Sequence, residues 1–345
     1  MKKEKLRVGI AGFGVVGKRR RYFIDQHPNM QTVAVCDIKF EDCGVMSDGV
    51  KCFQNYHQLL EVPLDVLFVC APNFLAPLIT IEGLKRNLHV FCEKPPGRTV
   101  KDIEEVIKVE KQHPGLLLKY GFNHRYHASV REALKIIKSG ELGGIINMRG
   151  IYGKSKIIPF SGGWRAERKY SGGGILLDQG IHIVDLMRLF CGEFVDVKSF
   201  VSNRFWKHDV EDNVYALMRD EQGRVAILHS SATQWQHQFS LDISLDNGFI
   251  VLWGILSDSK SYGEEELVVG RRDEAHTGSM REEVTRYIED NSWRDEVNEF
   301  ADAILNENSI DNGNSSDALI AMKMVYRIYF NDPEWREKFN IEFVE

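Results

Sequence analysis

Cysteine is scarce and unpatterned in this chain. Six occur, at Cys36, Cys43, Cys52, Cys70, Cys92 and Cys191, and no two form a C-x-x-C pair. That spacing excludes a disulfide scaffold and a structural zinc site. Cys36, Cys70 and Cys92 fall inside apolar runs, where a free thiol behaves as a small apolar residue, so a reduced, cytoplasmic protein is expected. Long apolar stretches are lacking too. The longest, such as residues 66–71, fall far short of the ~20 residues that cross a bilayer. Positive charge is not in excess: 44 Lys and Arg stand against 50 Asp and Glu. Nucleic acid is therefore excluded as the main partner, and the basic cluster at 18–24 is too short to alter this. Repeats and low-complexity segments are absent. The start imitates a secretory signal, with Lys2, Lys3, Lys5 and Arg7 before an apolar run. Yet four of residues 8–17 are glycine and a basic run follows, so no signal is expected. What remains is 345 residues, 43% hydrophobic and 27% charged, enough for a large core and for two domains.

The informative stretch is residues 6–17, LRVGIAGFGVVG. Leu6, Val8 and Ile10 alternate as a short strand would. Gly12, Gly14 and Gly17 follow in a G-x-G-x-x-G turn, and residues 18–24 read as a helix. Strand, glycine turn and helix in this order form a dinucleotide-binding motif. Gly12 makes the turn, Gly14 lets the backbone approach a pyrophosphate, and Gly17 lets helix and strand pack closely. The helix N-terminus supplies N–H groups to the phosphates. Twenty positions beyond Gly17, the run 32–37 reads as a second strand ending in Asp37. An acid there accepts hydrogen bonds from ribose hydroxyls and repels a 2′-phosphate. NAD is favoured over NADP; Ile38 agrees, while Lys39 keeps NADP open.

Strand and helix signals alternate over the first ~120 residues, the pattern of a parallel sheet with helices on both faces. Expected strands lie at 65–70, 89–93 and 116–122, and helices at 56–60, 78–86 and 100–112. Later the style changes. A helix at 126–138, a strand at 145–152, a glycine-rich loop at 162–174 and a helix at 175–191 precede strand-like runs at 195–204, 213–219, 224–233, 239–245, 249–253 and 266–269. These suggest a mixed or antiparallel sheet. Helices at 293–305 and 316–330 close the chain.

Two further segments carry chemistry. Residues 93–96, Glu-Lys-Pro-Pro, end a strand on the edge where ligands sit in doubly wound sheets. A lysine there can donate to a substrate hydroxyl and stabilise an alkoxide, or it is an ordinary surface lysine. In residues 172–182, GGGILLDQGIH, Asp178 and His182 are four apart and share one face of a helix. The glycines let that helix start close to a ligand. His182 can accept an alcohol proton. Asp178 can hold substrate, and Asp185 can fix the imidazole. The alternative is a buried histidine with an aspartate partner.

Together these segments resemble the Gfo/Idh/MocA family of glucose–fructose oxidoreductase and inositol dehydrogenase. The resemblance rests on GFGVVG at 12–17, CD at 36–37, APN at 71–73, CEKPPG at 92–97, GFNHRY at 121–126, SGELGGI at 139–145, Trp164-Arg165 and GGGILLDQGIHIVDL at 172–186. It implies a doubly wound Rossmann domain over 1–123. An α/β domain over 124–345, with a large, open, mostly antiparallel sheet, is implied to bind substrate and form a homodimer or homotetramer. The implied activity is hydride transfer between NAD(P) and a carbinol of a sugar, cyclitol or nucleotide-sugar. Carried over residue by residue, Lys94, His182 and Asp178 are catalytic. Gly12, Phe13, Gly14, Val15, Val16, Gly17, Asp37, Ile38, Ala71, Pro72, Asn73, Glu93, Lys94 and Asn123 bind the cofactor. Lys94, Asn123, Arg125, Trp164, Arg165, Asp178 and His182 meet substrate. No metal is implied. A cis peptide is implied at Lys94–Pro95. The family often reads P-N-x-x-H where this chain ends in Ala76, which removes one polar contact near the ribose or nicotinamide. Two other readings stay open: a glycosidase that oxidises its substrate transiently with bound NAD, and a non-catalytic sensor of NAD and sugar.

Overall fold

The computed structural model describes residues 5–41, 44–158, 162–257, 261–273 and 278–344. Cys43 lies outside them. The chain divides into two compact units, and neither is one continuous stretch. The first takes 1–122, 169–172 and 293–320; the second takes 123–168, 173–292 and 321–345. A single division after residue 123 is the expectation, and the compact units differ from it in residues 169–172 and 293–320. The physical cause lies in the helix Ser292–Asn306. Its Val297, Phe300 and Ala301 pack into the core of the first unit with Val8, Ile10, Phe68 and Phe91.

In the first unit β1 (Leu6–Ala11) leads through α1 (Val15–Gln26) to β2 (Met30–Cys36). Two short strands, β3 (Gly44–Val45) and β4 (Lys51–Phe53), and the turn of helix α2 (Tyr56–Leu59) follow. Next come β5 (Val66–Val69), α3 (Ala76–Lys85), β6 (His89–Glu93), α4 (Val100–Glu110) and β7 (Leu118–Gly121). The sheet order is β3-β4-β2-β1-β5-β6-β7, parallel apart from the β3–β4 pair. The chain order reverses beside β1, so the C-terminal ends of β1 and β5 flank the crevice where a nucleotide fits. All four residues of β5 are buried, as a strand covered on both faces requires. Thr99 caps α4: its hydroxyl accepts the Asp102 N–H, and the Asp102 carboxylate accepts the Thr99 N–H in return.

In the second unit a 3₁₀ turn (Asn123–Tyr126) leads to α5 (Ala128–Ser139) and β8 (Ile145–Ser155). A 3₁₀ turn (Trp164–Ala166) and the four-residue α6 (Arg168–Ser171), whose last three residues count with the first unit, stand where a loop was expected. A π-helical turn (Leu176–Gly180) opens α7 (Ile181–Cys191). Then come β9 (Phe194–Ser202), β10 (Asn213–Asp220), β11 (Val225–Gln234), β12 (Gln238–Leu245), β13 (Gly248–Trp253), β14 (Glu265–Arg272) and β15 (Met280–Tyr287). The sheet order is β15-β14-β13-β12-β8-β11-β10-β9, with β8–β11 its parallel pair. Of the helices that end the chain, α8 (Ser292–Asn306) from Trp293 on and the first turns of α9 (Ser315–Phe330) count with the first unit, and the rest of α9 with α10 (Pro333–Phe339) count with the second.

The alternation in β10 is strict. Val214, Ala216 and Met218 are buried, while Tyr215, Leu217 and Arg219 are exposed. Across the outer face the register aligns Phe200, Tyr215 and His229 in one row, and Leu217, Ile227, Arg149 and Asp242 in another. This face therefore carries large apolar side chains in water.

Candidate active site

The glycine turn meets the demands that a dinucleotide makes on a backbone. Gly12 has φ +94°, and a Cβ there would lie 2.3 Å from the carbonyl oxygen of Cys70. A Cβ on Gly17 would lie 2.0 Å from the Gly12 carbonyl oxygen, so helix and turn touch backbone to backbone. At Gly14 the reverse holds: among the described residues nothing lies within 4 Å of a Cβ. That open side fits a pyrophosphate. Gly14 is also the N-cap of α1 and offers no side-chain acceptor to the first turn, so those N–H groups suit phosphate oxygens. Asp37 closes the motif. One carboxylate oxygen accepts the Phe13 N–H at 2.9 Å, and the other accepts the Lys39 N–H at 3.0 Å. These bonds fix the carboxylate beside the turn. Ile38 is exposed next to it. The backbone at Gly12, Gly14 and Gly17 and the fixed Asp37 carboxylate fit NAD(P).

Ala71 and Pro72 lie just beyond β5, as expected. The Asn73 side-chain amide donates to the Ser171 carbonyl at 2.7 Å, so that N–H holds a protein segment. Lys94 follows β6 at the same sheet edge, and its bond to Pro95 is cis. Glu93 before it is buried and bound by Arg20, whose Nε donates at 2.7 Å. The same guanidinium reaches Glu296 at 2.6 Å and lies between the rings of Phe91 and Trp293. Glu93 was expected at the cofactor. The structure gives its carboxylate a buried cationic partner that anchors the strand end next to Lys94.

In the second unit His182 is buried at the start of α7. Two of the glycines before it are called for by the protein's own packing. A Cβ on Gly173 would strike the Tyr329 hydroxyl at 2.3 Å, and one on Gly174 the Glu211 carbonyl at 2.1 Å. Glu211 holds this entry: its buried carboxylate accepts the N–H groups of Gly174 and Leu176 and the Tyr329 hydroxyl. Burial pushes its carboxyl above the usual range, against those bonds. Asp178 sits in the wide π turn, so it is not on a regular α-helical face with His182. Its Oδ1 is 3.6 Å from the Arg165 Nε, and Arg165 lies over the Trp164 ring at 4.3 Å. The structure thus brings Trp164, Arg165 and Asp178 together.

Arg125 and Asp185 form a buried bidentate pair at 2.7 and 2.5 Å. Arg125 is an expected substrate contact and Asp185 an expected partner of the imidazole; their pair also ties the Asn123–Tyr126 turn to α7. Asn123 is fixed as well, its amide donating to the Ser292 hydroxyl at 3.1 Å.

Sequence reasoning missed what lies on His182. The His124 ring stacks on it at 3.7 Å between centroids and 12° between planes. Tyr152 reaches His124 through its hydroxyl at 3.2 Å, and Tyr262 donates to Gln179 at 3.0 Å. Burial pushes the Tyr262 phenol up and holds that of Tyr152 well above its ordinary value. His124 lies inside GFNHRY between two residues that were singled out, but nothing local marks it as a partner of a residue 58 positions away.

Metal chemistry has no visible seat: among the described residues no group of three or more His, Cys, Asp or Glu is placed to hold an ion. Burial pushes the Cys36 thiol up to about 11 and that of Cys92 up to about 12, which disfavours their thiolate forms.

Residues 6–121 match the model of an oxidoreductase family with an NAD-binding Rossmann fold. Residues 130–251 match the GFO/IDH/MocA C-terminal domain. The chain belongs to the Gfo/Idh/MocA family of oxidoreductases. Among its members, D-glucoside 3-dehydrogenase of Escherichia coli (strain K12) is 28% identical over 67% of this chain and 71% of its own. Inositol 2-dehydrogenase of Salmonella typhimurium (strain LT2) is 27% identical; there the match spans 54% of this chain and just over half, 55%, of that protein. In fold the chain resembles levoglucosan dehydrogenase in its complex with NADH, with a TM-score of 0.83 at 19% identity, covering 96% of this chain and 98% of that one. It also resembles aldose-aldose oxidoreductase from Caulobacter crescentus, with a TM-score of 0.82 at 22% identity, over 96% and 98% of the two chains. Like these Gfo/Idh/MocA proteins, the chain pairs a Rossmann sheet with a larger, mostly antiparallel one.

Proposed function

We propose that this oxidoreductase uses NAD to oxidise one carbinol of a sugar or cyclitol, or reduces the corresponding ketone. The observation that carries the reading is the glycine turn with Asp37 at the end of β2, in a chain whose relatives are dehydrogenases of glucosides and inositols. NAD, when bound, supplies the hydride acceptor. The protein's own residues do the rest. The first-turn N–H groups of α1 bind the pyrophosphate, and the Asp37 carboxylate accepts the ribose hydroxyls. In this reading His182 takes the hydroxyl proton as the C–H hydride leaves, Lys94 donates to the same oxygen, and Asp178 holds a neighbouring hydroxyl. Trp164, Arg165 and Asn123 complete the substrate and nicotinamide contacts. Panel assays with sugars, inositols and nucleotide-sugars, read at the NADH absorbance, test this. Reduction of NAD by a polyol or sugar is expected. Carbohydrate turnover with no net NADH would point to the transient-oxidation glycosidase instead.

Asp37 also selects the cofactor. Its fixed carboxylate repels a 2′-phosphate, so Asp37→Ser weakens NAD about tenfold, the scale of a lost charged hydrogen bond, and admits NADP. Fluorescence titration with both nucleotides checks this. Unchanged preference would contradict the assignment.

The outer face of the eight-stranded sheet joins copies of the chain. Phe200 is 78% exposed and Tyr215 50%, and Leu217 and Ile227 stand beside them in register. A contiguous apolar face of this kind marks an interface. Leu217→Glu combined with Ile227→Glu reduces the sedimentation mass to one chain; a mass equal to that of the wild type contradicts the assignment. The cytosolic placement expected from the cysteines belongs to the same reading. Among the described residues no helix is long and apolar enough to cross a membrane.

A further inference from the structure

The feature outside the family reading is the imidazole lying flat on His182. We infer that His124 is a positioning residue which shares a single proton with His182 and so keeps His182 neutral, as a base must be. The bearing on catalysis rests on the proposed dehydrogenase reading; the shared proton does not.

Both rings are buried, and their faces are 3.7 Å apart between centroids. Two imidazolium charges at that separation repel strongly, so the pair titrates as a unit. Hydrogen bonds then decide which ring holds the proton. Ser292 donates its hydroxyl to Asp290 at 2.6 Å and accepts the Asn123 amide at 3.1 Å. That fixes the amide with its oxygen toward the His124 Nδ1, 3.3 Å away. Nδ1 therefore carries a hydrogen, and in the neutral ring Nε2 accepts from Tyr152. Tyr152 can also reverse. Its hydroxyl is within hydrogen-bond reach of Tyr262, whose own hydrogen goes to Gln179 at 3.0 Å. With Tyr152 turned toward Tyr262, its oxygen accepts a second N–H from His124. A protonated His124 thus finds acceptors at both ring nitrogens, which favours its charged form.

The surroundings agree. On its own turn, Arg125 is neutralised by Asp185 and His127 is bound to Glu265 of β14 at 2.7 Å. From α7 and the π turn come His182, Asp185 and Asp178, the last of which acts electrostatically on both tyrosines. Tyr152 of β8 and Phe239 of β12 complete the wall.

Removing the competing imidazole leaves His182 as the sole proton acceptor. Its affinity for a proton then rises, and the pH below which a base is lost moves up. The test is an NMR titration of ring-labelled histidine in the intact chain without substrate, with His124→Phe and His182→Phe used to assign the two signals among the 11 histidines. In the wild type, one of the pair takes up a proton and the other stays neutral over pH 5–9. In His124→Phe, His182 titrates about one pH unit higher than in the wild type. Tyr152→Phe, which removes the second acceptor, moves His182 the same way by a smaller step and covers the case in which His124→Phe does not fold. Where turnover is measured, the acid limb of kcat/KM moves with the NMR value while KM stays within twofold. Independent protonation of both rings, or an unmoved His182 in both variants, overturns the inference. An NMR shift in a protein that oxidises no carbohydrate would leave the shared proton standing and refute only the dehydrogenase reading.

Discussion

His182→Gln lowers kcat by about 10²–10⁴, the usual contribution of a positioned general base, with NAD binding unchanged. Glutamine fills most of the imidazole's volume and keeps a polar end, so α7 retains its packing. What it lacks is a nitrogen that takes and releases a proton near neutral pH. Asp37 and the glycine turn lie in the other unit and are untouched, which is why nucleotide affinity separates the two effects. In His182→Ala the vacated space admits added imidazole, and part of the rate returns. Stopped-flow NADH formation with the best substrate, beside a thermal melt for each variant, measures this. A folded variant with wild-type kcat assigns the proton transfer elsewhere.

Arg20→Met is the most destabilising single change expected, at about 3–5 kcal/mol, because it leaves buried charge without its counter-charge. Such a loss lowers the melting temperature by roughly 10 °C in a chain of this size. Arg20 has no exposure, binds Glu93 and Glu296, and lies on the faces of Phe91 and Trp293. Lys119, whose ammonium donates to Glu299 at 2.9 Å, is the other cation acting on Glu296. The loss depends on pH with a definite sign. Burial pushes the Glu296 carboxyl up to about 7, while Arg20 and Lys119 pull it down. Without Arg20 it rises further, whereas an unfolded glutamate titrates near 4.3. A carboxyl whose folded value exceeds its unfolded one favours the fold below that unfolded value and loses this as pH rises through the folded one. The gap between Arg20→Met and wild type is therefore smallest near pH 5 and widens toward pH 8. Differential scanning calorimetry at both pH values reads it; an equal gap would mean that the arginine acts through packing alone.

Arg20 shows why part of the molecule was hidden. In the sequence it sits within four consecutive basic residues, 18–21, and such a run ordinarily faces water. Its acids arrive from β6 and from a helix nearly three hundred positions away. The same distance conceals His124 on His182. By contrast, the nucleotide turn was legible because backbone geometry dictates its residues: only glycine tolerates the Gly12 torsion and the backbone approach at Gly17. The strands of the second sheet were legible from their alternation, as in β10. β15 was not, since all but its last residue is exposed and no apolar face repeats. The π turn was invisible because Leu176, Leu177 and Ile181 continue a helical apolar spacing across it. The discontinuous division was missed because α8 follows the second sheet in sequence while its apolar side chains pack under the first.

The most direct test uses a substrate carrying deuterium on the carbinol carbon. Wild-type protein is expected to place one deuterium in the reduced nicotinamide for each ketone formed, read by mass spectrometry, while His182→Gln binds NAD and transfers almost none. Product formed without label in the nicotinamide, or label transferred equally by both proteins, would contradict the account.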